Sequence, residues 1–325
     1  MDLLEYFNSC NPNQPSALIV GLEVETDFVM ADGSPITADI TDALLHPDRD
    51  LDVHWERKLE LGRQKIELAV APGLPRITVW HAGKALKELY ADAAALGAHP
   101  LTHPAIESDE ELLLVAEERD EIWVALDSRP ALEELCRCSS VQYTVNVTPQ
   151  NAIEVINCLW AAGVHRWDYT SNGYRWRNYI EQSPAGYRSD RYGGPEGFRD
   201  LEDYVAQLKQ HLVVMHEGRP CGLPFDEVDD PDIELFLRSV WWHYRLRRYG
   251  DQLAVEIRPF ARRNDDQIFS TWLKLEELLR QFAPPRPRPE RTGDTGFSTS
   301  HNPPSYMTRE EHAHLWWNHV DGSGM

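Results

Sequence analysis

The sequence predicts an α+β fold built on an antiparallel sheet. Two observations carry that expectation: four short stretches alternate polar with apolar residues at a strand's period of two, and the segments between them change to the period of a helix. The strands are Gly21-Leu-Glu-Val-Glu-Thr-Asp27, Lys65-Ile-Glu-Leu-Ala69, Val141-Gln-Tyr-Thr-Val-Asn-Val147 and Leu253-Ala-Val-Glu-Ile-Arg-Pro259. In the first, Glu23, Glu25 and Asp27 point one way while Leu22, Val24 and Phe28 point the other. By the same count Glu67, then Gln142, Thr144 and Asn146, then Glu256 and Arg258 fall on polar faces. A sheet with one wet side explains any single strand. It explains the set less well, because Glu is depleted from strands and a merely solvated face more often carries Thr, Lys or Arg. If the four strands share one sheet, three or more carboxylates converge on a single surface and need cations to offset their repulsion. Hard divalent ions with oxygen ligands suit such a surface.

In chain order, a short N-terminal helix precedes a strand from Ala17 to Met30 that ends in an Asp32-Gly33 turn. Leu51 to Leu61 alternates as a further half-wet strand, or two joined by a bend. Thr78 to Gly97 reads as a helix with Val79, Ala82, Leu86, Leu89 and Ala93 on one face and Gly97 as its stop. Glu121 to Asp127 is a strand or a short helix. After the Gln142 strand, Asn151 to Ala162 forms a helix of the kind that packs behind a sheet. Residues 163–200 read as a loop rich in Arg, Tyr, Trp, Asn and Gly, and loops of such chemistry more often bind than merely connect. Helices are expected over Leu201 to Met215, Pro231 to Tyr249 and Asp266 to Phe282. The segment Pro284-Pro-Arg-Pro-Arg-Pro289 is an extended spacer, followed by a polar stretch and a last helix from Arg309 to His319. The expected organisation is one intertwined domain over 1–283 and a spacer with a terminal helix over 284–325, packed on or near it.

The chain has 325 residues, 42% hydrophobic and 10% aromatic, which fits a globular protein with a sizeable core. Its formal net charge of −21 argues against nucleic acid, since phosphate binding needs a clustered basic surface. No apolar run approaches the roughly 20 residues needed to cross a bilayer, and Met1-Asp-Leu-Leu-Glu5 lacks a basic leader, so a soluble cytoplasmic protein is expected. The five cysteines, 10, 136, 138, 158 and 221, have no zinc spacing and read as free, mostly buried thiols. His99 and His103 are interrupted by Pro100 and Pro104 and do not make a helical zinc pair. No base stands at a diagnostic spacing from Ser171, which argues against covalent catalysis by Ser or Cys. Trp160, Trp167, Trp176, Trp241 and Trp242 are expected in the core and in a pocket wall.

The ordered set of motifs resembles the glutamate–cysteine ligases and related carboxylate–amine ligases. Gly21-Leu-Glu-Val-Glu25 looks like their opening Gly-x-Glu-x-Glu strand, Ile66-Glu-Leu-Ala-Val-Ala-Pro72 like their second glutamate strand, and Leu96 to Pro104 like their Gly-Thr-His-Pro region. Thr170-Ser-Asn-Gly173 through Tyr187-Arg188 is similar to their Ser-Ala-Asn-Ser-Pro to Ser-x-Arg segment, and Val255-Glu-Ile-Arg258 to their Glu-x-Arg strand. The resemblance runs from about residue 18 to 280. It implies a glutamine-synthetase-like sheet curved into a half-funnel with helices on its outer face. It also implies ATP-dependent joining of a carboxylate, usually of glutamate or another amino acid, to an amine through an acyl phosphate.

By that resemblance, two or three Mg²⁺ ions would be held by Glu23, Glu25, Glu67, Glu256 and Gln142, with Glu60 as a further ligand. Glu67 and Arg258 would act at the reacting phosphoryl group. Arg175, Arg177, Arg188 and Arg191 are candidates for ATP phosphates or a substrate carboxylate, because the guanidinium fork bonds oxygens in pairs. The chain departs from the family at Val141 to Pro149, where Gln142 and Thr144 stand in place of two histidines and Asn146 in place of glycine. Carbonyl donors add no charge, which implies weaker metal occupancy or a missing site. Two further readings stand beside the ligase: a phosphotransferase of the same fold, and a homologue that binds a ligand or partner without turnover.

Overall fold

The computed structural model describes residues 2–13, 17–115, 118–167 and 172–283. Residues Met1–Pro284 group into one unit and Pro285–Met325 into another. The second unit lies outside the described residues, and with it the expected spacer and last helix; so does Ser171.

The order of elements is α1 (Leu3–Asn8), β1 (Val20–Met30), α2 (Ala38–Leu45), β2 (Trp55–Leu59), β3 (Lys65–Gly73), α3 (Pro75–Ala95) and β4 (Ala98–Pro100). There follow α4 (Glu118–Asp127), α5 (Arg129–Cys136), β5 (Ser140–Val147), α6 (Ala152–Ala161), α7 (Asn172–Gln182), β6 (Tyr192–Gly193) and α8 (Leu201–Leu208). The chain continues through β7 (Leu212–His216), β8 (Arg219–Pro224), α9 (Ile233–Arg238), β9 (Trp241–Trp242), β10 (Tyr244–Tyr249), β11 (Gln252–Ala261) and α10 (Asp265–Leu279).

The four strands read from alternation do share one sheet. Its order is β10-β11-β5-β1-β3-β2, with β4 on the far end of β1, and every pairing is antiparallel. The fold is therefore α+β with a mainly antiparallel, open sheet. One face is apolar: Leu22, Val24, Ile66, Leu68, Tyr143, Val145, Val255 and Ile257 are all buried. Helices cover it. The Tyr143 ring stacks on Trp272 of α10 at 5.8 Å and its hydroxyl donates to the Ile268 carbonyl at 2.6 Å. The Thr78 hydroxyl of α3 donates to Val20 O at 3.1 Å, and Tyr244 meets Trp160 of α6 edge-on at 5.0 Å. At the β4 end, Phe28, Ile36, Leu44, Ile66, Leu89 and Ala93 close a second apolar cluster between the sheet, α2 and α3.

Several expectations are corrected. Residues 163–200 contain α7, whose residues Arg175, Tyr179 and Ile180 are buried at helical spacing, as is Ser183 just past its end. Its Arg and aromatic content had disguised that period. The helix expected over 201–215 stops at Leu208, and the β-branched run after it pairs with β8 across a turn at Glu217 and Gly218, both at positive φ. The helix expected over 231–249 shrinks to α9. Tyr244-Arg-Leu-Arg-Arg-Tyr249 is instead the edge strand β10, joined to β11 through Gly250 at φ +65°. Helices α2 and α5 were not foreseen, and 121–127 resolves as helix. Among the described residues no helix is long and apolar enough to cross a membrane, and Cys10, Cys136 and Cys138 are free and buried.

Gly194 fixes how the β6 segment lies on the core. At φ +82° a Cβ there would sit 2.6 Å from the Trp242 ring, which is 1% exposed. Gly194→Ala is expected to cost about 2 kcal/mol or more in urea unfolding, combining left-handed strain with a clash. Gly218→Ala, at φ +72° with open space around it, should show only the strain.

Candidate functional site

The polar face of the sheet forms the floor of a cleft of about 440 Å³. Glu23, Glu25, Glu60, Glu67, Gln142, Glu256 and Arg258 all line it. The register explains the convergence: Glu25 stands directly opposite Glu67, Glu67 opposite Lys58, Glu23 opposite Gln142, and Glu256 opposite both Thr144 and Arg245. Trp123 of α4, Trp176 and Tyr179 of α7, Tyr192 and Trp241 form an aromatic wall over the floor, with Trp176 stacked on Tyr192 at 5.4 Å.

The floor has two electrostatic ends. At the β1–β3 end, Glu67 is 6% exposed and its nearest cationic atom among the described residues is Lys58 Nζ at 3.9 Å. Burial, then the charges of Glu23, Glu60 and Glu25, push the Glu67 carboxyl well above the usual carboxylate range, with Lys58 opposing. Burial and the Glu256 charge raise Glu23 as well, against Arg258 and Lys58. Glu25 accepts from Ser140 N at 2.8 Å and from Gln142 Nε2 at 3.4 Å.

At the β10–β11 end the balance reverses. Glu256, 4% exposed, accepts from Arg245 Nε and Nη2 at 2.9 and 2.6 Å, from Arg258 Nη1 at 3.2 Å and from the Tyr249 hydroxyl at 3.0 Å. Burial alone would raise its carboxyl, yet the Arg245, Arg258 and Arg247 guanidiniums hold it at about 2. Burial and the neighbouring guanidiniums lower Arg245 in turn to about 10, against the pull of Glu256.

This split tests the expected ligand set. The Glu23, Glu25 and Glu67 carboxylates, with Glu60 on the same rim, are an all-oxygen donor set short of positive charge, which suits a hard divalent cation. Glu256 fits poorly, because its oxygens are already engaged by guanidiniums and a phenol. Gln142 fits poorly too, since its carbonyl oxygen accepts from Arg258. Among the described residues no three His, Cys, Asp or Glu side chains are grouped so as to hold a metal as they stand.

The four arginines expected at phosphates or a carboxylate do not line the cleft. Arg175 is buried in ion pairs with Glu107 and, at 3.2 Å, Glu134; Arg188 pairs with Asp190 at 2.7 Å. Arg191 is 1% exposed, donates to Ser239 O and stacks against Tyr187 and Trp241 at 3.2 and 4.1 Å. Arg177 is exposed on α7. In their place the structure brings Lys58, Arg245, Arg247, Tyr249 and His243 into the cleft. The alternation of Tyr244, Leu246 and Arg248 with Arg245, Arg247 and Tyr249, ahead of a Gly-Asp turn, is the signal that reveals the two arginines. Asp27, on the same face as Glu23 and Glu25, is buried and paired with buried Lys65 at 3.1 Å, and does not line the cleft.

No family model matches the sequence, and a comparison with curated proteins finds no match. Among solved structures the chain is similar to a bifunctional glutathione synthetase from Pasteurella multocida, with a TM-score of 0.38 and 14% identity over 75% of this chain and 36% of that one. It is also similar to a glutamate–cysteine ligase from Francisella tularensis in complex with AMP, with a TM-score of 0.49 and 12% identity over 84% of this chain and 68% of that one. The chain thus spans about a third of the first relative's length. At these scores neither likeness bears on activity, and the functional reading rests on the cleft.

Proposed function

We propose that this protein is an ATP- and Mg²⁺-dependent ligase that joins a carboxylate, of glutamate or another amino acid, to an amine through an acyl phosphate. The observation that carries the reading is the two-ended floor: carboxylates short of cations at one end, guanidiniums in excess at the other, drawn from separate strands of one sheet. A metal-bound triphosphate is itself two-ended in this sense, and phosphoryl transfer is mostly positioning and neutralisation.

Glu23, Glu25 and Glu67 would hold the cation, which when bound screens the phosphate charges. Arg258, whose Nε and Nη2 have no partner among the described residues, is placed to hold an oxyanion at the opposite end. In the reaction a carboxylate oxygen attacks the terminal phosphorus and ADP leaves; the amine nitrogen then attacks the acyl carbon, and phosphate and one proton depart. The aromatic wall keeps water from the acyl phosphate between the two steps.

ADP release, screened over amino acids and amines in Mg²⁺, is expected only when both a carboxylate and an amine are present. Release without an amine, with a phosphorylated product, would turn the assignment to phosphotransfer. The engagement of Glu256 and Gln142 by Arg258 leaves fewer cation donors than the full ligand set, which favours binding without turnover as the second reading. Calorimetry that finds no Mg²⁺-dependent ATP binding would sink the ligase.

A further inference from the structure

The β10–β11 end of the cleft holds three guanidiniums around one buried carboxylate, and their donors are unequally used. Arg245 is fully committed: Nε and Nη2 donate to Glu256, and Nη1 to the carbonyls of Leu237 and Val240 at 2.8 and 3.0 Å. Among the described residues Arg258 uses only Nη1, on Gln142 and Glu256. Arg247 places Nη2 3.2 Å from Glu234, a carboxylate 45% exposed. Among the described residues its buried Nε finds no acceptor, the nearest carboxylate oxygen being Glu256 Oε1 at 3.9 Å. Both Arg247 and Arg258 line the cleft.

Both guanidiniums line the cleft with donors that have no partner among the described residues, so the arrangement favours a ligand that brings acceptors. We propose that Arg247 and Arg258 form an oxyanion subsite, and that Glu256, locked by Arg245, is the positioning residue that holds the two guanidiniums apart and aimed into the cleft. Its occupant is a carboxylate or a phosphoryl group, the two oxyanions whose geometry matches a guanidinium fork. The proposal deepens the ligase reading and rests on it only for the chemistry of that occupant. Glu256 thereby changes role from cation ligand to anchor of anion-binding groups. Arg247 joins the site although only its register on β10 places it there.

The test needs neither nucleotide nor metal. Calorimetric titration of the full chain in EDTA, with inorganic phosphate in one arm and sodium glutamate in the other, is expected to show binding in at least one arm. Phosphate alone assigns the subsite to the transferred phosphoryl group, and glutamate alone to a substrate carboxylate. Arg247→Met should weaken that binding about tenfold or more, the loss expected for a charged hydrogen bond, and Arg247→Lys should recover part of it. Glu256→Gln removes a negative charge and on charge alone would tighten an anion; weakening, in protein whose melting remains cooperative, marks positioning. Binding in neither arm, or affinity unchanged in Arg247→Met, overturns the subsite. Loss of Mg²⁺-dependent ATP binding with anion binding intact would instead overturn only the ligase reading.

Discussion

Replacing Arg245 by methionine is expected to lower the unfolding free energy by about 3–5 kcal/mol, the usual cost of removing one partner from a buried ion pair. Arg245 is 3% exposed and supplies two of the hydrogen bonds that satisfy Glu256. Methionine fills similar volume, so the loss reports the stranded carboxylate, together with the Leu237 and Val240 carbonyls that Arg245 also satisfies, rather than a cavity. The acid limb should move as well. With its folded value held at about 2 against an ordinary 4.5, Glu256 contributes stability that is complete above about pH 4.5 and lost as pH falls toward 2. In Arg245→Met that loss is smaller and is complete at a higher pH, because the folded value rises when the largest cationic partner is gone. Urea unfolding at pH 7 and at steps down to pH 3 measures both effects. A change under about 1 kcal/mol at pH 7 would mean that Arg247 and Arg258 suffice for Glu256, and the double variant Arg245→Met/Glu256→Leu should recover most of the loss if they do not.

The residues that alternated cleanly were the ones the sequence exposed. Glu23, Glu25, Glu67, Gln142, Glu256 and Arg258 needed only a period of two and a shared sheet, and their strands do pair. What alternation could not convey was the state of each carboxylate. Glu256 and Glu67 read alike in sequence, and differ because β10 lies beside one and β2 beside the other. That difference hung on recognising Tyr244 to Tyr249 as a strand, and a run of three arginines among aromatics has helical propensity enough to hide it. The loop arginines failed for another reason. A basic side chain in an acidic chain finds a carboxylate anywhere, and Arg175 and Arg188 found Glu134 and Asp190 close to their own elements. Local composition marks such residues as unusual without saying which way they face.

Glu67→Gln should separate function from stability in opposite directions. The Glu67 carboxyl is buried, faces Glu25 in register and has one distant ammonium for company. Its folded pKa lies well above 4.5, so its contribution to stability is complete below about pH 4.5 and is lost as pH rises through the folded value. Glutamine carries no such loss. The melting temperature of Glu67→Gln should therefore match the parent in acid and exceed it increasingly above pH 4.5, by the equivalent of about 1 kcal/mol in metal-free protein at pH 7. Added Mg²⁺ with ATP should close that gap by stabilising the parent alone, because ligands that bind only the folded state stabilise it by mass action. Turnover moves the other way. Removing one of three carboxylates assigned to the cation should reduce amine-dependent ADP release by about 100-fold or more, since groups that merely steady a metal's ligands are already worth about 10–100-fold. A variant that is less stable at every pH would show Glu67 to be an ordinary buried acid satisfied by Lys58. One that is more stable yet fully active would remove the cation from this end of the cleft and leave the guanidinium end as the only charged machinery the sheet provides.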